Sequence, residues 1–200
     1  MDIVDYVKHH FNESFQIKTQ LSEHLPITVA NAGSLIAQSL LEGHKILCCG
    51  NGGSAALTHY FVSNMLNHFE VERPSLPALA LTSDPILGTS IANDYSFLDL
   101  FSKQIRALGE KDDTLLVIST HGNDPNILRA IEAAHDRSMH VIAFTGYEGG
   151  DIAASLHPDD IELRAPFYAT ARIRETHLLF LHCLSGLIDQ QLFPDHEGES

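Results

Sequence analysis

Lys45-Ile46-Leu47-Cys48-Cys49-Gly50-Asn51-Gly52-Gly53-Ser54 is a short apolar run that ends in a turn with three glycines in four positions. A helical pattern, Ala55 to Phe69, follows at once. A run of strand length feeding a glycine-rich turn and then a helix is the opening of a βα unit. Further runs of strand length stand at Ala78 to Thr82, Thr114 to Ser119 and His140 to Thr145, with a weaker one at Asp160 to Leu163. Helical periods lie between and after them, at Pro125 to Arg137 and at Ile173 through Leu192. This alternation predicts an α/β fold, a doubly wound parallel sheet covered on both faces.

Upstream, two apolar stripes recur at helical spacing. Ile3, Tyr6, Val7, Phe11 and Phe15 form the first, and Ile27, Val29, Ala32, Leu35, Ile36 and Leu40 the second. Pro26 separates them and suits the first turn of the second helix. Residues 1–42 are therefore read as two amino-terminal helices, and 1–200 as a single domain with no internal repeat or dividing linker. The acidic tail after Pro194, residues 195–200, is expected to fray.

Composition narrows the function. The 200 residues carry 44% apolar and 19% charged side chains, enough to bury a core without staples. A formal charge of −14 repels polyphosphate backbones and anionic bilayers, so neither nucleic acid nor membrane is an expected direct partner. The amino terminus lacks a secretory pattern, and the mature chain is expected to start at Met1. No stretch approaches the roughly 20 apolar residues of a membrane span. Three cysteines, two of them adjacent at Cys48 and Cys49, offer neither a paired framework nor a Cys-x-x-Cys metal spacing. A reducing, cytoplasmic compartment is the expectation.

Doubly wound sheets bind ligands where strands run out into helix amino termini. At Gly50 to Ser54 the glycines let backbone N–H groups approach an anion, and the dipole of the following helix favours negative charge there. The same glycines would also make a bare strand-to-helix turn. The second loop, Ser119-Thr120-His121-Gly122-Asn123-Asp124, precedes Pro125. Asp124 there is placed as an N-cap, and its carboxylate weakens any anion site at the positive end of the helix.

Taken together, the motifs resemble a known family. They are Gly50-Asn51-Gly52-Gly53-Ser54, Ser90-Ile91-Ala92-Asn93-Asp94, Ser119-Thr120-x-Gly122-Asn123 and Ala171-Arg172-Ile173-x-Glu175-x-His177, together with Glu72 to Pro77. The chain is similar over nearly its whole length to the SIS (sugar isomerase) domain, in the phosphoheptose isomerase branch. That resemblance implies a flavodoxin-like αβα sandwich with a five-stranded parallel sheet and a homotetramer with ligand sites between subunits. It implies a phosphosugar site at Asn51, Gly52, Gly53, Ser54, Asn93, Asp94, Ser119, Thr120, His121, Asp124 and Arg174. The branch holds two functions: isomerisation of sedoheptulose 7-phosphate for lipopolysaccharide synthesis, usually with zinc, and non-catalytic association with the replication initiator DnaA.

Individual residues then divide the two. In the isomerases a metal histidine, aligned with His59, is followed four positions later by a glutamate that serves metal and proton transfer. Here that position is Ser63, a poor unassisted base and no charged ligand. The family's metal glutamine aligns with Arg174, a permanent cation that cannot ligate zinc. The second catalytic histidine aligns with His182, which survives. His59 and His182 alone make a weak zinc site. The isomerase loop Ser-Thr-Ser-Gly-Asn-Ser has lost two hydroxyls, to His121 and Asp124, and position 57, commonly Asp, is Leu57. Glu70 and Glu72 lie about two helical turns beyond Ser63 and do not replace the glutamate.

The expectation is a degenerate isomerase that binds DnaA, with zinc expected only if isomerase activity is retained. An acidic protein suits a basic protein partner, and Leu192 and Phe193 are candidate apolar anchors for it. Sedoheptulose 7-phosphate isomerase, with His182 catalytic, and a phosphosugar-binding sensor are the alternatives.

Overall fold

The structure is a computed structural model and describes residues 2–194; Met1 and the tail at 195–200 lie outside the described residues. Five strands form the sheet: β1 (Ile46–Gly50), β2 (Ala78–Ala80), β3 (Thr114–Ile118), β4 (His140–Gly146) and β5 (Ile161–Ala165). All neighbours pair in parallel in the order β2-β1-β3-β4-β5, which puts the topological switch point between β1 and β3. The glycine turn after β1 and the serine loop after β3 thus open onto the same crevice.

The strands are nearly continuous apolar runs because both faces are covered. Ile46, Cys48, Leu116, Ile118, Ile142 and Phe144 point into one apolar layer, closed by α2 (Pro26–Leu41), α3 (Gly53–Leu66) and α8 (Thr170–Leu192). Their chain neighbours Leu47, Cys49, Leu115, Val117, Val141 and Ala143 point into the other. That layer is closed by α5 (Leu100–Leu108), α6 (Pro125–Asp136) and α7 (Gly150–Ser155). Period-two alternation sends successive side chains to opposite layers. Cys48 and Cys49 are core residues of this kind, and burial pushes both thiols up, away from nucleophilic chemistry.

α1 (Ile3–His24) and α2 precede the sheet as expected, with Pro26 in the first turn of α2. The apolar stripe of α1 is not core, however. Ile3, Phe11 and Phe15 are 81%, 74% and 73% exposed in the single chain, and only Ile17 and Leu21 are buried. α4 (Pro85–Asp94) and a 3-10 turn at Phe97–Asp99 lead into α5. Among the described residues, no helix is long and apolar enough to cross a membrane.

Candidate ligand site

Gly52, with φ of +52°, occupies the N-cap position of α3. Only a residue tolerant of positive φ turns the chain this sharply from strand to helix. The next glycine is required for space: a β-carbon on Gly53 would lie 2.8 Å from Arg174 Cζ. The Arg174 guanidinium therefore lies directly over the amino end of α3, held there by the first turns of α8.

Across the crevice, the serine loop is tied to the glycine turn. Asn51 Nδ2 donates to Asp124 Oδ1 and to Asn126 Oδ1, both at 2.9 Å, and Asn126 Nδ2 donates back to Asn51 Oδ1 at 2.9 Å. The Ser119 hydroxyl donates to Asp124 Oδ2 and accepts the Gly122 N–H at 2.9 Å. Asp124 occupies the N-cap position of α6, yet its side chain makes no capping bond. The expected cap is thus corrected: the carboxylate turns inward and takes the hydroxyl and amide donors of the two loops. Turned inward, the one carboxylate satisfies two side-chain donors from different loops at once.

Asn51, Gly52, Ser54, Ile118, Thr120, His121, Asp124 and Arg174 enclose a cavity of about 210 Å³. The Ser54 and Thr120 hydroxyls and the Arg174 guanidinium hold no hydrogen bond or ion pair among the described residues. They are donors without acceptors, facing one carboxylate. His121 Nδ1 lies 3.8 Å from Asp124 Oδ2 and accepts the Asn123 N–H at 3.2 Å. Asn93 and Asp94 are not part of this cavity. They are exposed at the end of α4, where the Asn93 amide donates to Asp94 at 2.8 Å.

The proposed metal residues are arranged differently. His59 is exposed on α3, with Nε2 2.9 Å from Thr82 Oγ1. His182, on α8, has Nε2 3.1 Å from the Tyr60 hydroxyl and stacks on the Phe69 ring at 5.7 Å. It lines a separate apolar groove of about 950 Å³ between α1, α2 and α8. No hydrogen bond or ring contact joins the two histidines among the described residues. Ser63 is exposed one turn beyond His59 and supplies no carboxylate. A zinc ion needs three or four converging donors, and this donor set does not fit one. Glu70 and Glu72 do not restore it, because α3 ends at Leu66 and both lie in the loop that follows.

Two features of this region have no local signal in the sequence. Tyr60 is the partner of His182, which a residue adjacent to His59 in sequence does not advertise. His177 is fully buried, with Nε2 2.8 Å from the Thr145 carbonyl and Nδ1 without a partner, so it is neutral. Burial, opposed by that hydrogen bond and reinforced by the nearby Arg174 charge, pushes its pKa down to about 4. Leu192 and Phe193 are partly buried against the core, Phe193 beneath the Arg73 guanidinium at 5.9 Å.

A family model of the SIS domain matches residues 9–146. The phosphoheptose isomerase of Chromohalobacter salexigens is 56% identical over 197 residues, covering 98% of this chain and 100% of that protein. The DnaA initiator-associating protein DiaA of Photorhabdus laumondii is 48% identical over 195 residues, covering 98% of this chain and 100% of that protein. The solved structure of a phosphoheptose isomerase from Francisella tularensis superimposes with a TM-score of 0.92 at 46% identity. It covers 95% of this chain and 100% of that one.

Proposed function

The chain belongs to the SIS domain family, in the branch of the phosphoheptose isomerases and the DnaA initiator-associating proteins, and from that premise we propose that it is a non-catalytic binding protein whose partner is DnaA. The observation that carries this reading is Asp124. Its carboxylate takes the Ser119 hydroxyl and the Asn51 amide, donors that a sugar phosphate would need. A dianion placed there would meet like charge at hydrogen-bond distance.

The catalytic position supports the same reading. Aldose–ketose isomerisation moves a proton between neighbouring carbons, which requires a base with a pKa near the working pH. Ser63 is not such a base. His182, engaged by Tyr60 and Phe69, lies on a groove that does not include the glycine turn. The expectation of no resident zinc follows from the same donors.

Association with DnaA suits the charge. A chain at −14 is steered toward basic protein surface and away from DNA itself. The homotetramer implied by the resemblance would present several copies of one surface, and linked sites gain through effective concentration. Leu192 and Phe193 are the anchors to substitute first. The experiment is surface-immobilised binding of purified DnaA to the folded protein. Saturable association that weakens as salt rises is the expected result; no association from a folded, assembled sample overturns the reading.

A second reading, a phosphosugar sensor, draws on the unpaired Arg174, Ser54 and Thr120 donors. It requires a phosphosugar to raise the unfolding temperature, and Thr120→Ala to reduce that shift. No shift at millimolar ligand removes it.

A further inference from the structure

The chain carries a second cluster of chemical groups at the other end of the sheet. His135 lies in the last turn of α6, and His157 and Asp160 flank the turn that enters β5. α6 starts at the carboxyl end of β3 and runs back, and Asp160 directly precedes β5, so the cluster sits at the amino ends of the strands. The ligand crevice is at the opposite ends.

The geometry is built rather than incidental. The Asp160 carboxylate accepts the His157 N–H at 2.7 Å, and the Asp160 N–H donates back to the His157 carbonyl at 3.0 Å. Pro158 inside this turn restricts its backbone further. The same Asp160 oxygen lies 2.8 Å from His135 Nε2, and the two imidazoles stack at 3.6 Å with 10° between their planes. One ligand atom from each of the three residues lies within 4.8 Å of the others. Among the described residues, no other group of three His, Cys, Asp or Glu converges in this way.

We propose that His135, His157 and Asp160 form a binding site for a divalent transition metal of the zinc class. One donor atom from each residue already lies within 4.8 Å of the others, and two nitrogens bound to one tetrahedral zinc lie about 3.3 Å apart. The exposed His157 ring must turn out of its stack on His135 to bind, because an imidazole nitrogen donates in its own ring plane and the ion has to lie in both planes. Two imidazoles and one carboxylate select zinc, nickel or copper over magnesium and calcium, which take oxygen ligands. The carboxyl-terminal end of α6, with its negative dipole, adds to the attraction for a cation. The carboxylate of Asp159, adjacent in sequence to Asp160, adds charge of the same sign, whereas that of Asp136 is paired with Arg106 at 3.9 Å. Three protein ligands leave a fourth position for water. This site is independent of the DnaA reading and of His59 and His182.

The test is titration of the metal-free, full-length protein with zinc by calorimetry and with cobalt by its visible absorption bands. His157→Ala removes one exposed ligand and leaves the His135–Asp160 pair; His182→Ala is the control. One equivalent of metal per chain is expected, with tetrahedral cobalt bands. The site should survive in His182→Ala. Affinity should fall in His157→Ala by more than the roughly 10–100-fold that loss of an outer-sphere partner costs. His135→Ala, checked for folding by circular dichroism, should abolish the bands. No stoichiometric binding by the unsubstituted protein overturns the proposal. So does undiminished binding by His157→Ala, or binding lost in His182→Ala alone.

Discussion

On the proposed reading Asp124 limits what the crevice can hold, because its carboxylate already takes the Ser119 hydroxyl and the Asn51 amide. Asp124→Ser restores a hydroxyl, frees Ser119 and Asn51, and removes a charge that would repel a phosphate. Contact repulsion between unit charges near a surface reaches about 4 kcal/mol before screening, so phosphate affinity should rise by roughly tenfold or more. Calorimetry with inorganic phosphate checks this, and Ser119→Ala on the Asp124→Ser background should cancel the gain. The sequence placed Asp124 correctly at the helix start but not its side chain. The local pattern before Pro125 favours a cap, whereas the competing donors, Asn51 and Ser119, arrive from β1 and β3 and only the fold brings them together.

His177 is the second decisive residue. Its ordinary pKa of 6.5 falls to about 4 in the folded chain, so between those values the unfolded chain takes up a proton that the folded one refuses. The stability from keeping it neutral is complete above pH 6.5 and is lost as pH falls toward 4. At about 1.4 kcal/mol per pKa unit this amounts to roughly 3 kcal/mol. Urea unfolding at several pH values should show that His177→Gln flattens this part of the stability profile. Equal slopes in both proteins would contradict the assignment.

At the scale of elements, Arg73 shows how the loop after α3 is fixed. Its buried guanidinium donates to the carbonyls of Asn64 and Met65 at 2.7 Å each and to Asp189 of α8 at 2.8 Å. It therefore closes the carboxyl end of α3 and ties it to α8. Removing one partner of such a buried pair leaves polar groups unsatisfied, and Arg73→Ala should cost about 3–5 kcal/mol in equilibrium unfolding. Arg73→Lys should recover only part, because an ammonium cannot reach all these acceptors. Nothing local in Glu72 to Pro77 announces this clamp; its acceptors lie on two helices.

The strands were legible for a simple reason. β1, β3 and β4 are buried on both faces, so their sequences are unbroken apolar runs between turns. β2 is shorter than its apolar run: the structure keeps Ala78–Ala80, and the chain turns at Ser83, whose N–H donates to the Ala80 carbonyl at 3.0 Å. β5, at the sheet edge, shows only partial burial, and its run was correspondingly weak. The helices α4 and α7 were not delimited in the sequence. α7 has six residues, too few to display a period, and α4 buries only Ile91.

At the scale of the whole molecule, the single chain leaves its α1 stripe uncovered. Ile3, Phe11 and Phe15 of α1 and Ile27 of α2 are exposed, and an apolar groove lined by Leu21, Leu25, Val29 and Leu187 lies between α1, α2 and α8. The stripe was readable from its period, but what covers it was not, because periodicity reports an apolar face and not its occupant. Apolar surface of this extent is expected to be covered by self-association, and light scattering should give the mass of a tetramer. The paired change Phe11→Asp and Phe15→Asp should reduce that mass and, through lost multivalency, weaken DnaA binding by an order of magnitude or more. A folded monomer in the unsubstituted protein would contradict this.

The measurement that tests the central claim most directly is turnover of sedoheptulose 7-phosphate by the folded, assembled protein with zinc added, using a product assay sensitive to slow conversion. No product above the uncatalysed rate is the expected result, since Ser63 supplies no base and Asp124 takes the Ser119 and Asn51 donors. Turnover that disappears on His182→Ala would contradict it and make the chain an isomerase.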